Sequence, residues 1–151
     1  MGHKMYNMRN IGIVKKIELT RLDNLLSIPK GTTIVMADVT MAAGSSFAEI
    51  AFEKGSASFT EMEDRTVAGL LYTKNISFSV TKNNDANLSA LDTWKNGKLA
   101  ARVTDTNGEV YLVYPARMIK KRNIPSDVTD PNRIDVTLNG KSMYTAPFVT
   151  L

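Results

Sequence analysis

The sequence predicts a mainly β fold, an antiparallel β-sandwich or rolled β-barrel with one flanking α-helix at about residues 85–96. Three observations lead there. Apolar and polar residues alternate in several runs along the 151-residue chain, which is the period of a half-buried strand. A hairpin is written into RVTDTNGEVYLVY, residues 102–114, where strand-forming residues flank Asn107-Gly108, a pair suited to the positive backbone angles of a tight turn. Only NNDANLSALDTWKNGK combines helical spacing with residues that start and stop a helix.

In IGIVKKIELTRL the alternation puts Ile13, Ile17 and Leu19 on the core face of a strand and Lys16, Glu18 and Thr20 on the other. LLSIPKGTT follows as a loop punctuated by Pro29 and Gly31. TIVMADVTMAAGSSFAEIAF, residues 33–52, breaks at Gly44-Ser45-Ser46 and reads as two strands. A strand near residues 57–63 precedes a stronger one from Leu70 to Lys82, in which Ile76, Phe78 and Val80 oppose a hydroxyl face of Ser77, Ser79 and Thr81. In the helix, Asn and Asp side chains can cap free amides at the start, Asn96-Gly97 supplies a left-handed stop, and Leu88, Leu91 and Trp94 form one stripe.

In the hairpin, Val110 to Tyr114 is apolar on both faces, so both faces need cover. The helix is expected to give part of it and neighbouring copies of the chain the rest. Pro115 is expected to end that strand, after which ARMIKKRNI resumes as another and PSDVTDPN forms a loop. The last clear strand is RIDVTLNG, with Ile134, Val136 and Leu138 inward and Asp135, Thr137 and Asn139 outward. The tail KSMYTAPFVTL is too hydrophobic for a free end, so it should dock. The whole amounts to about eight strands and one helix.

Composition narrows the function. The length suits a single β-rich domain over residues 11–151 behind a flexible basic leader, residues 1–10. With no cysteine there are no disulfides, thiolate metal sites or cysteine nucleophile, and synthesis in a reducing, intracellular place is expected. No run suggests a membrane span or signal peptide, and Tyr6 stands where a myristoylation motif needs Ser or Thr. The net charge of +4 comes entirely from residues 1–30, with six Lys and Arg against two acids, whereas residues 31–151 hold thirteen of each. A balanced body argues against a strong electrostatic DNA binder.

Catalytic candidates are few. His3 is the sole histidine, so neither a serine triad nor a histidine metal site can be built. Glu61, Glu63 and Asp64 in EMED could serve a hard cation or a glycosidase, but read as a solvated strand edge. TDTNGE lacks the order of a calcium loop, and KGTT lacks the rest of a phosphate loop. Trp94 belongs with its leucine stripe in the core rather than on a ligand. In KKR, residues 120–122, strand alternation leaves Lys120 and Arg122 on one face as candidates for phosphate contact. No catalytic residue, metal or cofactor is expected.

The order of elements in residues 70–148, a capped helix with Trp94, then GKLAARVTD, TNGE, VYLVYPAR, a proline-bearing loop and RIDVTLNGK, resembles small structural proteins of tailed bacteriophages. The resemblance is to tail tube subunits and their neck or tail-completion relatives. It implies a non-enzymatic virion protein, made in the bacterial host cytoplasm, that assembles with itself into rings, hexamers in the tail tube, around a channel for passing DNA, with other tail or neck proteins as partners. The basic N-terminus and the lack of an obvious long inter-ring loop, unless it lies within residues 40–66, depart from that pattern. On this reading Phe59, Met62, Met143, Tyr144, Pro147, Phe148 and Val149 form subunit interfaces, and Ser77, Ser79 and Thr81 face the channel. The alternative is a monomeric β-sandwich that binds sugar, peptide or nucleic acid through its loops.

Overall fold

The structure, a computed structural model, describes residues 13–81, 84–124, 126 and 133–151; the proposed leader lies outside them. Its centre is the hairpin of β8 (Leu99–Asp105) and β9 (Val110–Asn123). The connection is wider than a two-residue turn. Among the described residues only glycines have positive φ, Gly108 here, and the Asp105 carboxylate accepts from the amides of Asn107 and Glu109 at 2.9 and 3.0 Å. A side chain thus does part of the turning that Asn-Gly alone was expected to do.

Eleven strands are present among the described residues. β1 (Val14–Arg21), β5 (Ala48–Ile50), β8 and the first half of β9 form one layer; the second half of β9, β10 (Arg133–Ser142), β7 (Gly69–Val80) and β6 (Ser58–Thr66) form the other. The order is β5-β1-β8-β9-β10-β7-β6, one antiparallel sheet rolled on itself. Ile17, Leu19, Val103 and Val113 of the first layer pack with Ile76, Phe78, Ile134, Val136 and Leu138 of the second. Phe52 meets Phe78 with ring centroids 6.0 Å apart, and the Glu53 amide donates to the Ser79 carbonyl at 2.8 Å, so the chain after β5 closes the roll.

The turn of the sheet lies within β9. Pro115 does not end the strand, as the sequence suggested. Ala101 pairs with Val113 and Leu99 with Ala116, so β9 carries one extra residue at Tyr114–Pro115, joined by a cis peptide. A bulge is where a residue without an N–H fits a ladder. The extra residue flips the alternation: Val113 points to the core before it, Ala116 and Met118 after it. On β10, a Cβ at Gly140 would overlap the Pro115 carbonyl oxygen and lie 2.9 Å from its carbon. Glycine is required there by contact, not by φ.

A second bulge, between Val14 and Lys16 on β1, does the same at the start of the chain. Val14 instead of Ile13 then joins the core, and Ile13 is 47% exposed. Residues 33–52 hold three short strands rather than two: β3 (Thr33–Val35), β4 (Thr40–Met41) and β5. β4 pairs with β2 (Leu25–Ser27), inside what read as loop, and β3 runs parallel to β11 (Phe148–Thr150), which also pairs with β9.

These pieces, not the helix, cover the second face of the hairpin. Ala100, Val110 and Leu112 pack against Leu25, Ile34, Val39 and Val149. Glu18 and Thr20, expected outward, are therefore buried. Glu18 is held across the strand pair by Arg102 in a two-pronged ion pair at 2.8 and 3.1 Å, with Phe47 stacked 4.4 Å from the guanidinium. A buried carboxylate needs such a partner.

The helix α1 (Asp85–Asp92) sits on the inner side, with Leu91 buried in the core between the layers and Leu88 and Trp94 packed at its margin. Asn84 caps it, its side chain accepting from the Asn87 amide at 2.9 Å. It stops before residue 96 because the Arg21 guanidinium takes the carbonyls of Thr93 and Asn96, and Trp94 and Lys95 bond three residues back instead of four. A cation at a helix C-terminus also suits the helix dipole.

Replacing Gly140 tests the turn. Gly140→Ala is expected to destabilise the fold by about 1–3 kcal/mol, the range for overpacking, read as a lower urea midpoint with unchanged slope; an unchanged midpoint would contradict the close approach.

Candidate functional site

The residues expected at subunit contacts divide into three groups. Phe59 and Phe148 come together through Tyr111: ring centroids lie 5.6 Å apart for Phe59 and Tyr111 and 5.0 Å for Tyr111 and Phe148. They border a cavity of about 230 Å³ with Glu61, Thr145 and Ala146. Glu61 accepts from the Thr145 hydroxyl and from the Ala146 amide at 2.8 Å, pinning the C-terminal segment to the β6–β7 hairpin. The EMED edge is exposed, as read, but one of its carboxylates has this local task.

Pro147 and Val149 are buried within the chain itself. The Pro147 carbonyl accepts from the Leu112 amide at 3.1 Å, and Val149 belongs to the cover over the hairpin. They are therefore not free for a neighbour. The tail docks on its own chain through Ala146, Pro147 and Val149. Met62, Met143 and Tyr144 remain exposed at 68%, 63% and 63%.

Ser77 and Ser79 lie on the outer face of the second layer, half-buried, and Thr81 is exposed just past β7. Cross-strand rows place Ser58 and Thr137 beside Ser77, and Asn139 beside Asn75. Ser79 donates to the Asp135 carboxylate at 2.7 Å, and Asn139 donates to Asn75. The result is a polar sheet face of hydroxyl and amide groups, wider than the three residues read from sequence.

Lys120 does not serve as an outward phosphate contact. The β9 bulge turns it inward, where it is paired with Asp92 at the end of α1. Burial lowers its pKa. Arg122 has the same parity as Lys120 and is exposed. The outward residues are Arg117, Ile119 and Lys121, all exposed. Sequence alternation separated the two sets correctly but could not say which faced out.

Lys74 was missed. It is 1% exposed, opposite Gly140 on β10 and Glu61 on β6. Its amine donates to the Ser142 hydroxyl at 2.7 Å and lies 5.8 Å from the Tyr114 ring centroid. Nearby, Ile28, Lys30, Thr32, Tyr114 and Tyr144 enclose a cavity of about 320 Å³. Burial lowers the Lys74 pKa, with Glu61 opposing that shift. No motif announces such a lysine, since Thr73-Lys74-Asn75 reads as an ordinary strand.

Among the described residues no group of three or more His, Asp or Glu is placed to hold a metal ion, and no helix is long and apolar enough to cross a membrane. No family model, curated protein or solved structure matches the chain.

The buried amine gives stability a definite pH dependence. Between its lowered folded pKa and the ordinary value of 10.5 the unfolded chain binds more protons, so stability rises with pH across that interval and is most reduced below it. Lys74→Met is expected to raise stability at pH 7 by on the order of 1 kcal/mol, read as a higher Tm, and to flatten the alkaline rise. A lower Tm at pH 7 in the variant would contradict a net cost of the buried charge.

Proposed function

We propose that the protein is a non-enzymatic structural subunit that assembles with copies of itself into rings, as a virion component of the tail tube or neck type that its second half resembles. The observation that carries this reading is the β6–β7 ribbon. Every residue from Glu61 to Leu70 is exposed, and among the described residues β6 has a partner strand on one side only. Val67 is fully exposed at its tip, with Met62 and Leu70 also open to solvent. A two-stranded ribbon with solvent on both faces is marginal alone, and a nine-residue open edge invites pairing. Burial against a neighbouring copy stabilises both features.

The polar face around Ser77 and Ser79 suits a channel wall in transient contact with passing DNA, and exposed Met143, Tyr144 and Phe148 add apolar area near the C-terminus. Neighbouring tail or neck proteins are the expected further partners. The cavity between Tyr114 and Tyr144 favours a second reading, a monomeric binding module that takes a sugar, peptide or nucleotide ring between aromatic side chains.

Light scattering over a concentration series, with negative-stain imaging, separates the two. Rings or tubes are expected from the wild-type chain. Met62→Asp combined with Val67→Asp is expected to leave a folded monomer that keeps a cooperative unfolding transition, since exposed substitutions cost the single chain little. A wild-type monomer at every concentration would overturn the assembly reading.

A further inference from the structure

Where β9 bulges, three neighbouring strands each bring one cation to a single notch. Lys98 lies just before β8, Arg117 just after the bulge on β9, and Lys141 near the end of β10. With Pro115, Asn139 and Gly140 they line a cavity of about 190 Å³. No aspartate or glutamate lines it. All three cations are exposed, and none takes part in an ion pair among the described residues.

We propose that this notch binds a phosphate group. Adjacent strands lie about 4.8 Å apart, and successive residues on one face lie about 7 Å apart. Lys141 stands one same-face step beyond Asn139, which pairs with Arg117, so the two cations are diagonal neighbours. Lys98 flanks them from the next strand, since Leu99 pairs with Ala116. Like charges gathered without a counter-charge repel one another, and an anion seated among them removes that cost. The Arg117 guanidinium offers paired N–H donors to two oxygens of one tetrahedral anion, and the two ammonium groups supply further charge. Gly140 lies between Asn139 and Lys141 and contributes only backbone to the notch.

A polyanion has a natural continuation from the notch. Lys121 is exposed two same-face steps beyond Arg117, on the same outer face as Thr137 and Asn139. Asp135 lies on that face too, paired with Arg133 at 3.2 Å and accepting from Ser79. The chemistry is that of a phosphate monoester or diester, and its source is either a nucleic-acid backbone or a small free phosphate. This inference does not rest on ring assembly, because all three cations belong to one subunit.

The test uses the full chain. Fluorescence anisotropy with a labelled DNA duplex is measured from low to moderate salt for wild type, for Lys98→Gln/Arg117→Gln/Lys141→Gln, and for Lys15→Gln/Lys54→Gln, which alters exposed lysines outside the notch. Melting is followed in parallel with sodium phosphate against chloride at constant ionic strength. For a backbone ligand, the triple variant is expected to lose at least tenfold in duplex affinity, and its salt slope to fall by about 0.9 per cation removed, with the control unchanged. A phosphate-dependent rise in Tm that the triple variant abolishes, without duplex binding, assigns the notch to a small phosphate. Equal behaviour of the triple variant and wild type in both assays, or equal losses in the control, would overturn the proposal. Light scattering on the same samples reports assembly separately.

Discussion

The close approach of Gly140 to Pro115 sets the geometry of the rest. At that point β9 holds one residue more than β8 can pair, and the strand leaves one layer to become the first strand of the other. A methyl group on β10 would push the two strands apart where the sheet must turn. Because the turn is made inside a continuous strand, the two layers share a core instead of being joined by a loop. The flip in alternation that comes with it decides that Met118 and Lys120 face the interior while Arg117 and Lys121 face solvent.

The other organising feature is the double cover of the β8–β9 hairpin. One face packs on the second layer and on α1; the other packs under β2, β3, β4 and β11. The cover brings polar groups inside, and the charged ones are answered locally: Glu18 by Arg102 and Lys74 by Ser142. Within the C-terminal segment the chain buries Ala146, Pro147 and Val149 against itself and leaves Met143, Tyr144, Phe148 and Leu151 exposed. Exposed apolar side chains remain at the β6–β7 ribbon (Met62, Val67, Leu70) and beside Tyr144, and singly elsewhere, as at Leu26, Ile119 and Ile124, whereas Val149 is covered by its own chain.

Features fixed by neighbours in sequence were legible. The alternation of Ile134, Val136 and Leu138, the capped start of α1 and the strands either side of Asn107-Gly108 all depend on local pattern, and all appear in the fold. Features fixed by distant residues were not. The end of α1 depends on Arg21, more than seventy residues away. β2, within the segment that reads as a loop, exists as a strand because β4 lies beside it. Two bulges reversed the faces assigned to Ile13 and Lys120, since period two holds only while every residue is paired. The cations of the phosphate notch are widely separated along the chain and carry no motif, so only the pairing of three strands brings them together.

The chain contains no cysteine, so single cysteines placed at positions 116 to 121 can each be timed against a thiol reagent in the native protein. Fast labelling at 117, 119 and 121 with slow labelling at 116, 118 and 120 is the result expected of a strand that bulges at Tyr114–Pro115. The reverse alternation would contradict the bulge, and with it the turn of the sheet and the surface on which Arg117 and Lys121 stand.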